Sequence, residues 1–288
     1  MTEGALIGAR FALMMDLALL MGLPLFWWVM GMAGRRTMIA LLAVGGLALS
    51  LLWLLASAAT MTGTPVTSPD WATAWILMTM TPIGPVLVVR GAALIAALVA
   101  TMIPRGNRLA LLPAALAAGT LAWTGHAGAT EEMAGALHRA ADVAHIWAAS
   151  GWIGALAVLF YIVLRLRTGT NIAPVATMLA RFSLMGALIV ATLIISGAIN
   201  AIMIVGLTQL PSLLDSRYRL LLGTKIMLFG LMLGLAAANR WWLTPALETG
   251  DASERTIRHL RLSLAAESSA AIGIVALVAW LGTLDPMA

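Results

Sequence analysis

The stretch HAGATEEMAGALHRAADVAH, residues 126–145, holds three of the chain's four histidines, together with Glu131, Glu132 and Asp142. Imidazole and carboxylate are the residue types that bind metals or relay protons. His138, Asp142 and His145 fall at i, i+4 and i+7, so on a helix they share one stripe, which Trp152 continues two turns on. His138 and His145 are then about 10 Å apart along the axis and cannot both hold one small ion unaided. Two arrangements follow. In one, His145 is a metal ligand and Asp142 accepts from its other nitrogen, fixing the tautomer. In the other, His138 and His145 are successive stations for an ion or a proton. His126 can fold back beside either, because the segment between is short and bears glycine. Glu131 and Glu132 read as solvated loop charges, and His259, among arginines, as surface.

With no cysteine in the chain, disulfides and thiolate sites are excluded. A soft metal would need histidine or one of the 18 methionines, and most of those lie in apolar runs where Met is a flexible filler. Met61, Met78, Met80 and Met133 are the outer thioethers that could join a site. Imidazole with thioether suits copper.

The elements that must position these groups are membrane spans. Of the 288 residues, 61% are hydrophobic and only 10% charged, well below the roughly 25% charge of a soluble domain. The fold class expected is all-α, a polytopic membrane helix bundle in one domain, 1–288, bathed in lipid. About eight spans are read, near 5–30, 38–60, 83–103, 109–125, 139–164, 182–206, 220–244 and 262–283. Most hold about 20 apolar residues, enough to cross the hydrocarbon. The fourth is short. The first, carrying Arg10 and Asp16, reads as a retained helix and not a cleaved signal. Strands are excluded by run length and by the Ala and Leu content.

Arginines set the orientation. Alternate loops hold Arg35 and Arg36, Arg105 and Arg108, Arg165, Arg167 and Arg181, then Arg240, Arg255, Arg258 and Arg261. The positive-inside rule puts these in the cytoplasm, with both termini and the 126–138 loop on the periplasmic side. The basic balance therefore implies no nucleic-acid partner. The longest outer loop, 61–82, carries Trp71, Trp75 and Met78 on one face of a short helix. That helix lies at the lipid interface or forms a lid over an outward-facing site. Within spans, Arg10, Asp16, Arg90, Asp142, His145, Lys225, Glu267 and the amide of Asn200 are polar groups that lipid disfavours and that usually face the bundle interior. Arg10, Arg90 and Glu267 read as pairs that fix helix register or as site groups, and Lys225 as an interior group or one that snorkels to the headgroups.

The run HAGATEEMAGALHRAADVAHIWAASGWIGAL resembles the copper resistance D (CopD) family of bacterial inner-membrane proteins. So do FSLMGALIVATLIISGAINAIMIVG and YRLLLGTKIMLFGLMLGLAAANRWWLTP. The resemblance implies copper handling across the cytoplasmic membrane, usually uptake, beside a separate small periplasmic copper-binding protein. It maps the family's histidines to His126, His138 and His145. On this reading the chain is a transporter and not an enzyme. Its periplasm-facing histidines, with Asp142, capture copper, as Cu(I) in preference to Cu(II), and pass it to a polar interior near Asn200 and Lys225. No P-loop or phosphorylation domain is visible to energise the step. The alternative is a membrane redox protein acting on quinol or copper, its b-type haem held by His126 and His145.

Overall fold

The computed structural model describes residues 2–104, 106–125, 132–166, 173–205, 216–243, 245 and 254–285. Among them there are only helices and their connections. In chain order these are α1 (Thr2–Val29), α2 (Arg36–Thr62), α3 (Trp71–Met80), α4 (Ile83–Ala100), α5 (Gly106–Leu109) and α6 (Leu111–Gly119). A 3₁₀ segment, Thr120–Thr124, follows, then α7 (Glu132–Leu164), α8 (Ala173–Val205), α9 (Arg217–Ala238), a π turn (Asn239–Leu243) and α10 (Glu254–Leu281). Seven of the described helices are long and apolar enough to cross a membrane.

The expected fourth span, 109–125, is not one helix. Residues 106–124 come as α5, α6 and the 3₁₀ segment in succession. Hydroxyls account for the tight last part: Thr120 donates to the Ala117 carbonyl at 2.6 Å and Thr124 to Leu121 at 3.1 Å, both three residues back. The segment still runs the length of α1. Asn107 abuts Gly34 just past the end of α1, and the Thr124 carbonyl accepts from Arg10 near its start. Ala110, Ala114, Ala117 and Ala118 are fully buried, so this thin segment lets α1 and α4 close around it.

α1 and α7 form the centre of the bundle, while α8 and α9 lie at the periphery with their apolar faces outward. The central pair touches through backbone. A Cβ placed on Gly22 would overlap the Ser150 carbonyl oxygen, and one on Gly154 would overlap Gly22 itself. In lipid, where burying apolar surface gains nothing between helices, such close approach of small residues is what holds helices together.

One end of the bundle gathers arginines from loops far apart in sequence. Arg35 and Arg165 both lie over the Tyr161 ring, with Cζ 5.7 and 4.6 Å from its centroid. Arg261 donates to the Val163 and Leu166 carbonyls, capping the end of α7. Arg240 reaches the Ser183 carbonyl at 3.4 Å. The loops that the charge pattern assigns to one side therefore do meet at one end.

At the other end, α3 is the short helix expected within 61–82. Asp70 caps it, accepting from the backbone N–H of Ala72 and Thr73 at 3.0 and 3.2 Å. Ala74 and Leu77 pack on Leu54 and Ala58 of α2. Trp71 and Trp75 are exposed.

Candidate functional site

α7, α8, α9, α10 and α1 enclose a cavity of about 220 Å³ at the end opposite the arginine cluster. The histidine stripe faces it: His138, Asp142 and His145 all line the wall, one turn after another. His138 is fully buried at 1% exposure. From α8 come Gly197 and Asn200, from α9 Tyr218 and Lys225, and from α1 Arg10 and Met14. The remaining wall is largely aliphatic, with Ile146, Ile153 and Ile274 among it.

The polar groups are fixed by one another. Nδ1 of His145 lies 3.0 Å from Ser196 Oγ. That hydroxyl already donates its single proton to the Thr192 carbonyl at 2.5 Å, so toward the ring it can only accept. With Ser196 as acceptor the His145 proton is assigned to Nδ1 and the lone pair to Nε2, and the Leu193 backbone carbonyl also bonds the ring. Gly197 leaves room for this ring, since a Cβ there would stand 3.4 Å from Cε1. Asn200 donates from Nδ2 to Asp142 Oδ1 at 3.0 Å. The Lys225 ammonium is close enough to act electrostatically on both Asp142 and His145.

Several sequence expectations change on this geometry. Ser196 and the Leu193 carbonyl of α8 bond the His145 ring, because α8 passes beside it, and Asp142 accepts from Asn200 of the same helix. Asn200 and Lys225 are not a deeper station. α8 runs toward this end and α9 starts from it, so both residues share the cavity with the histidines. Trp152 does not line the cavity. It packs edge-on against Phe229 with centroids 6.1 Å apart, and Ala149 and Ile153 take the floor.

The outer-loop thioethers do not reach the cavity. Met61 and Met80 are 71% and 79% exposed, and Met78 packs against Leu54 and Leu77. α3, which carries two of them, touches α2 and α4, so it is no lid over the histidines. The thioether on the wall is Met14, read from sequence as core filler. A signal was present: Arg10, Met14 and Ala18 recur every four residues and all line the cavity. His126 lies outside the described residues, as does the side chain of Met133. Among the described residues no three His, Cys, Asp or Glu side chains gather as a metal-binding group.

Two family models match the sequence: "Copper resistance protein D-like, N-terminal domain" over residues 1–136 and "Copper resistance protein D" over 176–281. A curated relative, "Copper resistance protein D" of Pseudomonas syringae pv. tomato, is 37% identical over 300 residues, covering 97% of this chain and 96% of the relative. The chain belongs to the copper resistance D family. "Inner membrane protein YebZ" of Escherichia coli (strain K12) is 28% identical over 195 residues, 67% of this chain and 65% of that protein. No solved structure matches. The copper resistance D models cover Arg10 and Met14 on one side of the cavity and Asn200 and Lys225 on the other. The stripe from His138 to His145 lies between the two matched stretches. The chain is thus a multi-pass membrane protein of this family.

Proposed function

We propose that this inner-membrane protein moves copper from the periplasm toward the cytoplasm and that the α7–α10 cavity is where the ion is held. The observation that carries the reading is the convergence of His138, Asp142, His145, Asn200, Lys225 and Met14 on one cavity at the arginine-poor end. The positive-inside rule makes that end periplasmic. Family membership supports copper as the cargo.

The chemistry favours Cu(I). The bare Nε2 of His145 and the Met14 thioether are soft donors, which select Cu(I) over hard cations. Asp142 is held by Asn200 and offsets the Lys225 charge, so a second cation meets less repulsion in the same space. His138, two turns nearer the outer surface, receives the ion and hands it on. A separate small periplasmic copper-binding protein supplies it.

The test uses the purified chain in nanodiscs, titrated with Cu(I) against a chromogenic chelator, and radiocopper uptake into vesicles. His145→Ala and Met14→Leu are each expected to weaken binding at least about 10-fold, the scale of losing a ligand or its support. His138→Ala is expected to slow uptake more than it lowers final occupancy. Copper affinity unchanged in both His145→Ala and Met14→Leu would overturn the cavity as the copper site. A Soret band in protein that binds no copper would replace transport with haem chemistry.

A further inference from the structure

Two arginines are buried beside this cavity, and among the described residues no carboxylate bonds either of them. Arg90 of α4 is 0% exposed and Arg10 of α1 is 8% exposed. Nε of Arg90 donates to Thr120 Oγ1 at 2.7 Å, while Nη1 and Nη2 are buried and have no acceptor. Nη1 of Arg10 donates to the Thr124 carbonyl at 3.4 Å, and its Nε is buried with no acceptor. Thr120 and Thr124 are four residues apart on one 3₁₀ segment, about 8 Å along its axis. The same short turn thus grips both guanidinium groups, and the charge of Arg10 acts on Arg90.

What surrounds them does not neutralise them. The Thr120 hydroxyl gives its proton to the Ala117 carbonyl and brings no charge. The Trp53 ring faces Arg90 with its centroid 5.7 Å from Cζ, a modest attraction. The carbonyl end of the 3₁₀ segment supplies at most about half a negative charge. Asp16 sits deeper, its carboxylate against Gly45 and Gly46, and its own Oδ2 is buried without a partner. Water could satisfy the N–H groups but not the charge. A buried pair of like charges with open donors is costly unless something compensates it.

We propose that Arg10, Arg90 and the Thr120–Thr124 turn form a binding site for one small monovalent anion. The occupant is of halide or simple carboxylate chemistry, held between the two guanidinium groups. Arg10 lines the cavity and Arg90 does not, so the anion sits behind the cavity wall. If the cavity holds copper, a filled anion site removes the positive charge that would repel the ion, and the two bindings reinforce each other. The anion site itself does not depend on that reading.

The test is made without copper on the full-length purified chain. Thermal unfolding is followed as sodium gluconate is replaced by chloride, bromide or formate at fixed ionic strength. A saturable rise in Tm of roughly 3–5 °C is expected. A rise with halide assigns a halide occupant, and a rise with formate alone assigns a carboxylate. The rise should vanish in Arg90→Met. Because losing a buried guanidinium can itself disturb folding, Thr120→Val and chloride-35 line broadening on the wild type, reversed by nitrate, give independent readings. No response to any anion, or a response that persists in a folded Arg90→Met variant, would overturn the site.

Discussion

The Ser196 hydroxyl stands 3.0 Å from Nδ1 of His145, across 51 residues of sequence, and sends its own proton back to the Thr192 carbonyl. One helix thereby sets the tautomer of a ring carried by another. Nε2 is left as the donor atom before any ion arrives, which spares the site a proton rearrangement on binding.

Replacing Ser196 by alanine removes the acceptor and frees the ring to turn or to change tautomer. Copper affinity is expected to fall about 10–100-fold with folding intact, since the serine bonds only its own helix and this ring. Ser196→Thr keeps a hydroxyl and should recover most of the affinity. Chelator competition on the three proteins checks both. Equal affinity in wild type and Ser196→Ala would remove the serine from the site.

Asp142 and Lys225 behave as a charge set. Asp142→Asn removes the negative charge that acts on the Lys225 ammonium across the cavity. A marked drop in melting temperature is expected. Adding Lys225→Met should restore the melting temperature, since both charges are then gone, without restoring copper binding. Recovery of stability in the double variant is the decisive reading. If the single variant is already stable, the two residues are not coupled.

The sequence made the long spans legible because lipid demands long apolar runs. The His138–Asp142–His145 stripe was legible because one helix repeats every 3.6 residues. What crosses between helices was not. Ser196 looks like any serine bonding its own helix, and nothing in its neighbours names the ring it meets. Met14 hides among apolar residues because a thioether is itself apolar. The last part of the fourth span tightens to a 3₁₀ turn because Thr120 and Thr124 bond carbonyls three residues back, a local effect that mean hydropathy does not register.

The α1–α7 contact leaves no space for a side chain at Gly22 or Gly154. Gly154→Val must push the two central helices apart along their length. Overpacking of this kind costs about 1–3 kcal/mol in soluble cores, and more where, as here, backbone is what is struck. Loss of folded protein in detergent, measured by size-exclusion chromatography, is expected. Gly4→Ala, where a Cβ meets nothing, is the matched control and should leave the yield unchanged.

Asp70 caps α3 and titrates below the ordinary carboxylate range. The Thr73 backbone N–H is the main cause, followed by the Thr73 hydroxyl, both donating to the charged form. A lowered folded value means that the cap's contribution is complete above an ordinary aspartate pKa near 3.9 and is lost as pH falls through the lower folded value. α3 should therefore hold unchanged from pH 8 to about 5 and loosen only below about 4. Hydrogen exchange of the 66–80 peptide, corrected for intrinsic rates, reads this directly. Asp70→Ala should exchange faster at pH 7 and lose the acid step.

The sidedness of the cavity rests on the arginines at the opposite end. Arg35 and Arg165 from connections, Arg240 from the π turn and Arg261 from the first turns of α10 all bond or stack near the end of α7 at Tyr161 or on the first half of α8 at Ser183. Basic residues near short loops stay in the cytoplasm. Ser68, in the connection before α3, should then face the periplasm, and Glu254, at the start of α10, the cytoplasm. The chain has no cysteine, so single substitutions report without background. In intact spheroplasts an impermeant maleimide should label Ser68→Cys and leave Glu254→Cys untouched until the membrane is opened. The reverse pattern would put His138, His145 and the whole cavity on the cytoplasmic side, and copper would then be loaded from within the cell.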